Sequence, residues 1–375
     1  MSLLKTRQDL PLIDDLQALF LRDVPLLDVR APVEFHEGAF PTAQNYPLMD
    51  DADRVAIGTR YKQQGQDAAI ALGLQRVSGE VKARRVAAWE QFAREHPDGV
   101  LYCFRGGLRS RISQQWLFEQ TGLYYPRVKG GYKAMRRFLL NQLETLPATL
   151  QPVVLSGRTG SGKTRFLQTL HRIVDLEGLA NHRGSAFGGQ PTPQPSQISF
   201  ENALAIQLLR ALQTQSALLF EDESRMIGSL HLPETFFTRL REAPLVLMQV
   251  ADAERVEISY QEYVVDTSAA FTALHHGDVE RGFAAFSGYL LGSLDKIQRR
   301  LGGVRYQAVL KMMQQALAIQ ARDGTTQAHY DWVRLILLDY YDPMYDYQIS
   351  KKQERLVFSG SPAEVRDYLS SVGIV

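Results

Sequence analysis

The chain's single cysteine lies in the segment Val100-Leu101-Tyr102-Cys103-Phe104-Arg105-Gly106-Gly107-Leu108-Arg109-Ser110. Three apolar residues typical of a buried strand precede Cys103, and a helical pattern over residues 111–118 follows the two glycines. The segment therefore predicts a strand, a tight turn and a helix, with Cys103 at the strand end. Such a unit is typical of an α/β domain.

The turn after Cys103 combines positive charge with backbone donors. Arg105 and Arg109 lie within it, and the amides of a glycine-rich turn and a helix N-terminus can point at the sulfur. These surroundings lower the pKa of a thiol and stabilise a thiolate, persulfide or selenosulfide anion. We therefore predict that Cys103 is catalytic and that Arg105, Arg109 and Ser110 serve it. The alternative is a small buried hydrophobe, the usual role of a lone intracellular cysteine.

Three further segments accompany this loop, at residues 26–30, 33–45 and 128–132. Together with residues 103–110 they resemble a rhodanese domain, whose cysteine carries sulfur or selenium. The resemblance implies that Asp28 and Arg30, on the first strand, support the active loop.

An atypical stretch separates the first strands from Cys103 and ends in a charged helix over about residues 77–95. We interpret it as an insertion that covers the active loop or holds a substrate. Gly73 within it either terminates a helix or, if the insertion lies over the site, leaves space that a bulkier residue would deny to an isoprenyl chain.

Length and composition limit the alternatives. A chain of 375 residues predicts two or three domains, and a boundary near residues 143–151 gives domains at 1–145 and 146–375. No apolar run approaches about 18 residues, and charged residues precede any signal-like core. We expect no membrane span and no secretion, and one cysteine fits a reducing cytoplasm.

A net charge of +1 does not indicate a strongly basic nucleic-acid-binding domain. Local basic patches remain candidates, and solvated helix faces are the alternative. The two candidate patches are Arg127, Lys129, Lys133, Arg136 and Arg137, and Lys82, Arg84 and Arg85.

The second domain opens with an apolar run, a glycine-rich loop and a helical pattern. The loop reads Gly157-Arg158-Thr159-Gly160-Ser161-Gly162-Lys163-Thr164. This G-x-x-x-x-G-K-T spacing after a strand and before a helix predicts a phosphate-binding loop (P-loop). Lys163 would reach terminal phosphate oxygens, and Thr164 would ligate Mg²⁺.

Acidic residues follow a second apolar strand at residues 217–224. Asp222 or Glu221 is the candidate to hold the metal through water, and the alternative is a loop cap or a pair with Arg225. Asp222 and Arg225 are also candidate substrate-binding residues. His182 and Arg183 are structural polar residues or, if they face the P-loop, phosphate ligands.

After about residue 280 the pattern is helical. The aromatic cluster Tyr340, Tyr341, Tyr345 and Tyr347 predicts a packed helix terminus or a stacking surface for a base or an isoprenoid. The predicted fold is α/β, with an N-terminal rhodanese-like domain and a C-terminal P-loop, kinase-like parallel-sheet domain that carries a helical extension.

The order rhodanese then P-loop, with residues 176–188, 221–225 and 340–345, is similar to the bacterial tRNA 2-selenouridine synthase family over nearly the whole chain. The resemblance implies a tRNA substrate with 2-thiouridine at the wobble position. Geranyl diphosphate alkylates the sulfur, and selenium from selenophosphate then replaces the geranylthio group. It further implies a selenophosphate-producing enzyme as a partner and no tightly bound organic cofactor; we expect a monomer.

The residues agree with such chemistry. Released diphosphate needs cationic donors, which residues 157–164 supply, and Mg²⁺, which Thr164 would ligate. Cys103 is a candidate selenium carrier. The alternatives are a nucleotide-gated rhodanese sulfurtransferase and a small-metabolite kinase with a rhodanese docking module. The sequence leaves open whether ATP or geranyl diphosphate occupies the P-loop, and whether Cys103 and Lys163 share a site.

Overall fold

A computed structural model describes residues 9–170, 173–213 and 217–374. The chain forms two compact units. The first comprises Met1–Thr145 and Ser196–Arg210, and the second comprises Leu146–Pro195 and Ala211–Val375. The division differs from the predicted one because one helix from the later sequence packs with the first unit.

The described strands form two parallel sheets and one antiparallel pair. In chain order they are β1 Leu12–Ile13, β2 Leu26–Asp28, β3 Ala43–Asn45, β4 Val100–Tyr102, β5 Arg127–Val128, β6 Gln151–Ser156, β7 Ala217–Glu221, β8 Met226–Ile227, β9 Leu230–His231, β10 Leu245–Met248 and β11 Leu356–Gly360.

Helices connect and cover these strands. In chain order they are α1 Leu16–Leu21, α2 Pro32–Glu37, α3 Asp51–Arg76, α4 Gly79–Glu95, α5 Leu108–Thr121, α6 Gly131–Thr145, α7 Lys163–Gln168, α8 Leu176–Ala180, α9 Gln197–Ala211, α10 Glu234–Glu242, α11 Asp252–Tyr260, α12 Thr267–Leu274, α13 Val279–Leu301, α14 Gly303–Asp323, α15 Tyr330–Leu335, α16 Asp342–Ser350 and α17 Pro362–Ser371. The predicted α/β class with parallel sheets is confirmed.

The sheet of the first unit has the order β1-β5-β4-β2-β3, with parallel neighbours throughout. Strands β2 and β4 are buried along their whole length, which explains their apolar sequences. Asp28 pairs in register with Tyr102. Because parallel strands end at the same edge, the residues after β2 and Cys103 after β4 lie at one edge of the sheet.

The insertion before Cys103 forms the long helices α3 and α4. Helix α3 bends at Gly65, whose φ of 82° interrupts the helical backbone. Gly73 lies inside α3, which ends only at Arg76, with the amide of Val77 bonded to the Gly73 carbonyl. The interpretation of Gly73 as a helix-terminating glycine is therefore wrong.

The second unit contains the parallel sheet β11-β10-β6-β7. The P-loop joins β6 to α7, as the sequence predicts. Helices α13 to α16 confirm the helical C-terminal pattern, but β11 was not predicted: this five-residue strand between helices extends the sheet beside β10. Among the described residues, no helix has the length and apolar character needed to cross a membrane.

Candidate functional site

Cys103 is buried directly after β4, with 2% of its surface exposed. Its thiol donates to Ser110 Oγ at 3.2 Å, and Ser110 Oγ donates to the Gly107 carbonyl at 3.1 Å. The Cys103 carbonyl accepts from the Tyr132 amide at 2.8 Å. The predicted partner Ser110 therefore fixes the orientation of the thiol.

The loop after Cys103 offers uncommitted backbone donors. Within the part of the chain that the structure describes, the amides of residues 104–108 donate to no protein acceptor. Gly106 has a φ of +61°, and a side chain there would place Cβ 2.6 Å from the Gly130 amide nitrogen. The glycine thus allows a tight turn whose amides can bind an anion.

Arg109 is held by Glu34 from α2. Its Nη1 lies 2.5 Å from Glu34 Oε2 and its Nη2 lies 3.0 Å from Oε1. Burial alone would raise the pKa of Glu34, but the hydrogen bonds and charge of Arg109 lower it below its usual value. Arg109 therefore remains a fixed cation beside Cys103, whereas Arg105 packs near the Phe104 ring.

Asp28 and Arg30 form a buried ion pair next to the loop, 2.6 Å between Arg30 Nη2 and Asp28 Oδ2. Tyr102 donates its hydroxyl to the same oxygen at 2.6 Å. The Arg30 guanidinium stacks on the Tyr132 ring at 3.9 Å. Neither Asp28 nor Arg30 lines the cavity described next, so their geometry suits a supporting role.

A cavity of about 880 Å³ opens onto Cys103. Arg105 and Arg109 line it, and α3 supplies much of the remaining wall, including Gly73. A methyl group at Gly73 would lie 3.5 Å from Ile57 Cδ1, an ordinary contact. The apolar lining residues are Leu48, Met49, Val55, Ile57, Ala69, Ile70, Leu74, Val77, Phe104, Leu108, Ile112 and Trp116. The insertion thus forms the wall of the Cys103 site.

The P-loop has the predicted backbone. Gly160 has a φ of +77°, and a Cβ there would lie 2.7 Å from the Arg255 carbonyl oxygen. Buried Arg255 donates to the Thr159 carbonyl through Nε and Nη2, both at 3.1 Å, and pairs with Asp342. Lys163 Nζ donates to the Gly157 carbonyl at 2.9 Å. The loop is thus held in shape by the protein itself.

A second cavity, about 200 Å³, lies at this loop and is lined by Thr159, Gly160, Gly162, Lys163 and Thr164. Among the other predicted loop residues, Arg158 pairs with Asp346. Its Nε lies 2.8 Å from Asp346 Oδ1, and its Nη2 lies 2.7 Å from Oδ2. Gly157 packs against Ser161, whose Oγ is buried without a hydrogen-bond partner in the described residues.

Three carboxylates gather beside Thr164. Oxygens of Glu177, Glu221 and Glu223 lie within 4.8 Å of one another. Thr164 Oγ1 contacts Glu177 Oε2 at 2.8 Å and Glu221 Oε1 at 2.7 Å. Burial, followed by the charge of Glu177, raises the pKa of Glu221 to about 8. Its Oε2 is buried with no partner among the described groups.

This donor set fits a hard divalent cation such as Mg²⁺, which prefers carboxylate and hydroxyl oxygens. Burial alone would lower the pKa of Lys163, but Tyr345 and the three glutamates raise it above its ordinary value. Lys163 thus stays charged while the glutamates compete with one another for protons.

Of the two predicted metal ligands, Glu221 belongs to this cluster and Asp222 does not. Lys352 Nζ lies 2.6 Å from both of its carboxylate oxygens, and Ser156 Oγ donates to Oδ2 at 2.6 Å. Arg225 pairs with Glu234 at 2.7 Å instead of with an acid of the strand. Successive side chains of a strand point to opposite sides, so Glu221 faces Thr164 and Asp222 does not. The same alternation could have indicated Glu223; Glu177 carried no such signal.

Of the two candidate polar residues after α8, Arg183 lines the P-loop cavity and His182 does not. Arg183 donates to the Glu262 carbonyl at 3.0 Å. The imidazole of His182 is half-buried, and burial followed by the charge of Lys296 lowers its pKa. Of the two residues, only Arg183 is therefore placed to contact a ligand in the P-loop cavity.

The tyrosines of the predicted aromatic cluster also differ in their surroundings. Tyr341 is buried and its hydroxyl accepts from the Ala186 amide at 3.2 Å, so it packs as a structural residue. Tyr345 lines the P-loop cavity. Tyr347 is exposed, with Lys351 over its ring.

Several members of the two predicted basic patches already have protein partners. Arg136 binds Glu201 and Asn202, Lys129 lies 3.6 Å from Asp14, and Lys82 stacks on Trp116. These contacts favour structural roles for those cations.

Comparison with known proteins agrees with this architecture. The family model for the tRNA 2-selenouridine synthase AAA domain matches residues 150–373. A tRNA 2-selenouridine synthase of Marinobacter nauticus is 51% identical over 96% of this chain and 98% of its own length. One of Bordetella bronchiseptica is 52% identical over 96% and 97%.

Among solved structures, a chain described as the N-terminal domain of an ATP/GTP binding protein from Clostridium difficile 630 is 33% identical, with a TM-score of 0.30. It covers 34% of this chain and 98% of its own, and carries no weight here. The alignments with these two relatives cover nearly all of this chain and nearly all of each relative. The family model covers more than half of this chain. The chain therefore belongs to the tRNA 2-selenouridine synthase family.

Proposed function

We propose that the protein converts 2-thiouridine at the wobble position of tRNA to 2-selenouridine, through an S-geranyl intermediate. The observation that carries the proposal is the cavity of about 880 Å³ in which Cys103 and two arginines face the apolar side of α3. It combines a nucleophile, an anion site and space for an isoprenyl chain, within the usual range of about 300–1,000 Å³ for ligand cavities.

The first step belongs to the P-loop. The thiocarbonyl sulfur of the base attacks C1 of geranyl diphosphate; a C–S bond forms, the C–O bond breaks and diphosphate leaves with the electron pair. Lys163, Arg183 and the loop amides bind the phosphates and stabilise the charge that develops on the leaving group.

Mg²⁺ would be held here by Thr164, Glu177, Glu221 and Glu223, where it would neutralise part of the diphosphate charge. Without a cation, three carboxylates next to Lys163 would repel a phosphate group. Glu221 replaces Asp222 in this assignment because only Glu221 contacts Thr164.

The second step belongs to Cys103. A selenosulfide cannot form from a thiol and selenophosphate alone, because joining sulfur to selenium removes two electrons. The redox-neutral route is attack of the Cys103 thiolate on C2 of the S-geranylated base, with geranylthiolate leaving into the apolar cavity. Selenium of selenophosphate then displaces Cys103 from C2, and water cleaves the Se–P bond to release phosphate.

The residues around Cys103 support this step. Ser110 orients the sulfur, and Arg105, Arg109 and the amides of residues 104–108 can bind the selenophosphate anion. Reaching the base requires that it leave the anticodon stack. We further propose that the first unit is rhodanese-like, that the protein acts in the cytoplasm as a monomer, and that an enzyme producing selenophosphate supplies the donor.

The deciding experiment is mass spectrometry of nucleosides from an anticodon stem-loop bearing 2-thiouridine. The stem-loop is incubated with the protein and geranyl diphosphate, and then with selenophosphate. We expect S-geranyl-2-thiouridine followed by 2-selenouridine. An unchanged nucleoside, accompanied by ATP consumption, would favour the nucleotide-gated sulfurtransferase instead.

A further inference from the structure

One surface of the second unit has a concentration of cations that the proposed active sites do not use. Lys296, Arg299 and Arg300 lie at the C-terminal end of α13 and all three are exposed. Within the described residues, none of the three forms an ion pair with a carboxylate. By contrast, Arg158, Arg165, Arg255 and Lys352 of the same unit are all paired with acids.

The helix places these cations together. Residues three and four apart lie on the same helix face, so Arg299 and Arg300 both neighbour Lys296. One and two turns earlier, the same face carries Gly292 and Gly288, where an added Cβ would meet nothing within 4 Å. A helix-interior glycine costs about 1 kcal/mol relative to alanine, and here no protein contact requires one. The glycines leave room for another backbone to approach beside the cations.

Helix α13 contacts the segment 182–189, part of which borders the P-loop cavity. Tyr289 of α13 donates its hydroxyl to the Phe187 carbonyl at 2.5 Å. Lys296 is close enough to His182 for its charge to contribute to the lowered pKa of that imidazole. The next residue, Arg183, lines the P-loop cavity. Helix α13, which carries the three cations, therefore packs against the segment that borders the site of the first step.

We propose that Gly288, Gly292, Lys296, Arg299 and Arg300 form a surface that binds the phosphate backbone of the tRNA substrate. This inference rests on the proposed function and adds to it the location of the RNA. A polyanion complements three clustered cations without carboxylate partners, and releases counterions when it binds. The surface positions the RNA and reads no sequence, because contacts to phosphates carry no base information.

The test uses full-length protein and an unmodified tRNA transcript, with binding measured by fluorescence anisotropy from about 50 to 300 mM KCl. In the triple variant Lys296→Gln, Arg299→Gln, Arg300→Gln, we expect binding about tenfold to a hundredfold weaker near 0.1 M salt, and a salt slope smaller by about 2 to 3. The control variant Lys311→Gln, Arg322→Gln, Arg334→Gln removes the same charge from exposed positions of the same unit and should bind almost as the native protein does.

Several outcomes would overturn this surface. Equal losses in the two triple variants would mean that only bulk charge matters. A lowered melting temperature with unchanged RNA affinity would reduce the cations to partners of the helix dipole. Loss of binding to vesicles of phosphatidylserine and phosphatidylcholine, with RNA binding intact, would assign the face to lipid.

The failure of this inference is distinguishable from failure of the proposed function. If the native protein produces 2-selenouridine and the α13 triple variant binds tRNA normally, only the surface is wrong. If the native protein leaves the nucleoside unchanged, the function is wrong. Gly292→Gln provides a separate check, because a side chain there should weaken RNA binding about threefold or more without removing charge.

Discussion

The cavity at Cys103 and the cavity at the P-loop differ in size and lining. The first has about 880 Å³ and largely apolar walls with arginines near the cysteine. The second has about 200 Å³ and is lined by Lys163, Arg183 and acidic residues. An isoprenyl chain gains free energy from the first environment through removal of apolar surface from water, whereas a diphosphate with a cation suits the second.

The difference in lining suits one cavity to an apolar group and the other to a charged group. In the proposed mechanism, the P-loop unit would stabilise charge on a leaving group, and the Cys103 unit would supply a nucleophile and accept an apolar leaving group. Each of the following experiments should therefore affect one region and leave the other unchanged.

The largest effect is expected from Cys103→Ala. Formation of 2-selenouridine should fall more than a thousandfold, because the covalent route disappears, while S-geranylation continues at the native rate. Nucleoside mass spectrometry measures both products. Loss of both products would contradict the assignment of the two steps to separate cavities.

Intact-protein mass spectrometry sharpens the same comparison. Native protein with S-geranylated stem-loop and no selenophosphate should accumulate an RNA adduct on Cys103, and selenophosphate should resolve it. Formation of 2-selenouridine on addition of selenophosphate, with no RNA adduct on Cys103 beforehand, would contradict the covalent route.

Acidification should separate the stabilities of the two units. His329 of the second unit is completely buried; its Nδ1 accepts from Trp332 Nε1 at 2.9 Å, and its Nε2 contacts Gln320 Oε1 at 3.0 Å. Burial lowers its pKa to about 4. As pH falls from about 6.5 to 4, the unfolded chain binds a proton that the folded unit excludes, and about 3 kcal/mol of stability is lost.

The first unit should respond at lower pH. Glu34 has a lowered pKa, so the stability that it contributes is present above about pH 4.5 and lost as pH falls through its folded pKa. Hydrogen–deuterium exchange from pH 7 to 3 covers both ranges. Because Glu221 of the second unit has a raised pKa and also titrates there, the His329 contribution is the difference in stability between the native protein and His329→Gln. That difference should change by about 3 kcal/mol between pH 6.5 and 4, and a constant difference would contradict the assignment.

Lys163→Ala should slow S-geranylation about a hundredfold, because it removes the cation that meets the terminal phosphates. Selenation of a stem-loop that is already S-geranylated should proceed normally. The exposed residue Lys311 provides the matched control, and Lys311→Ala should change neither rate. A native geranylation rate in Lys163→Ala would place the diphosphate elsewhere.

The smallest effect is expected from Gly73→Leu, which fills part of the Cys103 cavity. Selenation of S-geranylated RNA should slow about tenfold, with geranylation preserved. Gly73→Ala is the matched control, since its methyl group makes only an ordinary contact with Ile57 and alanine favours a helix by about 1 kcal/mol. Similar rates in the two variants would mean that the isoprenyl group does not approach α3.

Local patterns in the sequence predicted the α/β class, the parallel sheet of the second unit and the two loops. Each loop depends on neighbouring residues: a strand, glycines with the required backbone freedom, and a helix. Long-range choices were harder to predict. Glu177 reaches Thr164 only through the fold. Asp222 and Glu221 are adjacent in the sequence, and only their contacts in the structure distinguish them. Edge strand β11 was missed because a short apolar strand among long helices has no distinctive period.

The ion pairs of basic side chains also depend on residues that are distant in the sequence. The predicted basic patches include Arg136, which the fold pairs with α9. The cations at the end of α13 have no such partners among the residues that the structure describes, but in the sequence they look like any charged helix terminus. Which charges remain available to a ligand is a property of packing.

Helix α9 also affects the order in which the protein can be made. It packs with the first unit through Asn202, which donates to the Ala39 carbonyl at 2.9 Å, and through Arg210, which donates to the Phe20 carbonyl at 2.7 Å. On the ribosome, the first 145 residues emerge before the P-loop and α9 follow. The Cys103 unit therefore cannot complete its fold until about residue 210 has left the exit tunnel, and a fragment that ends at residue 145 would expose an unsatisfied, aggregation-prone surface.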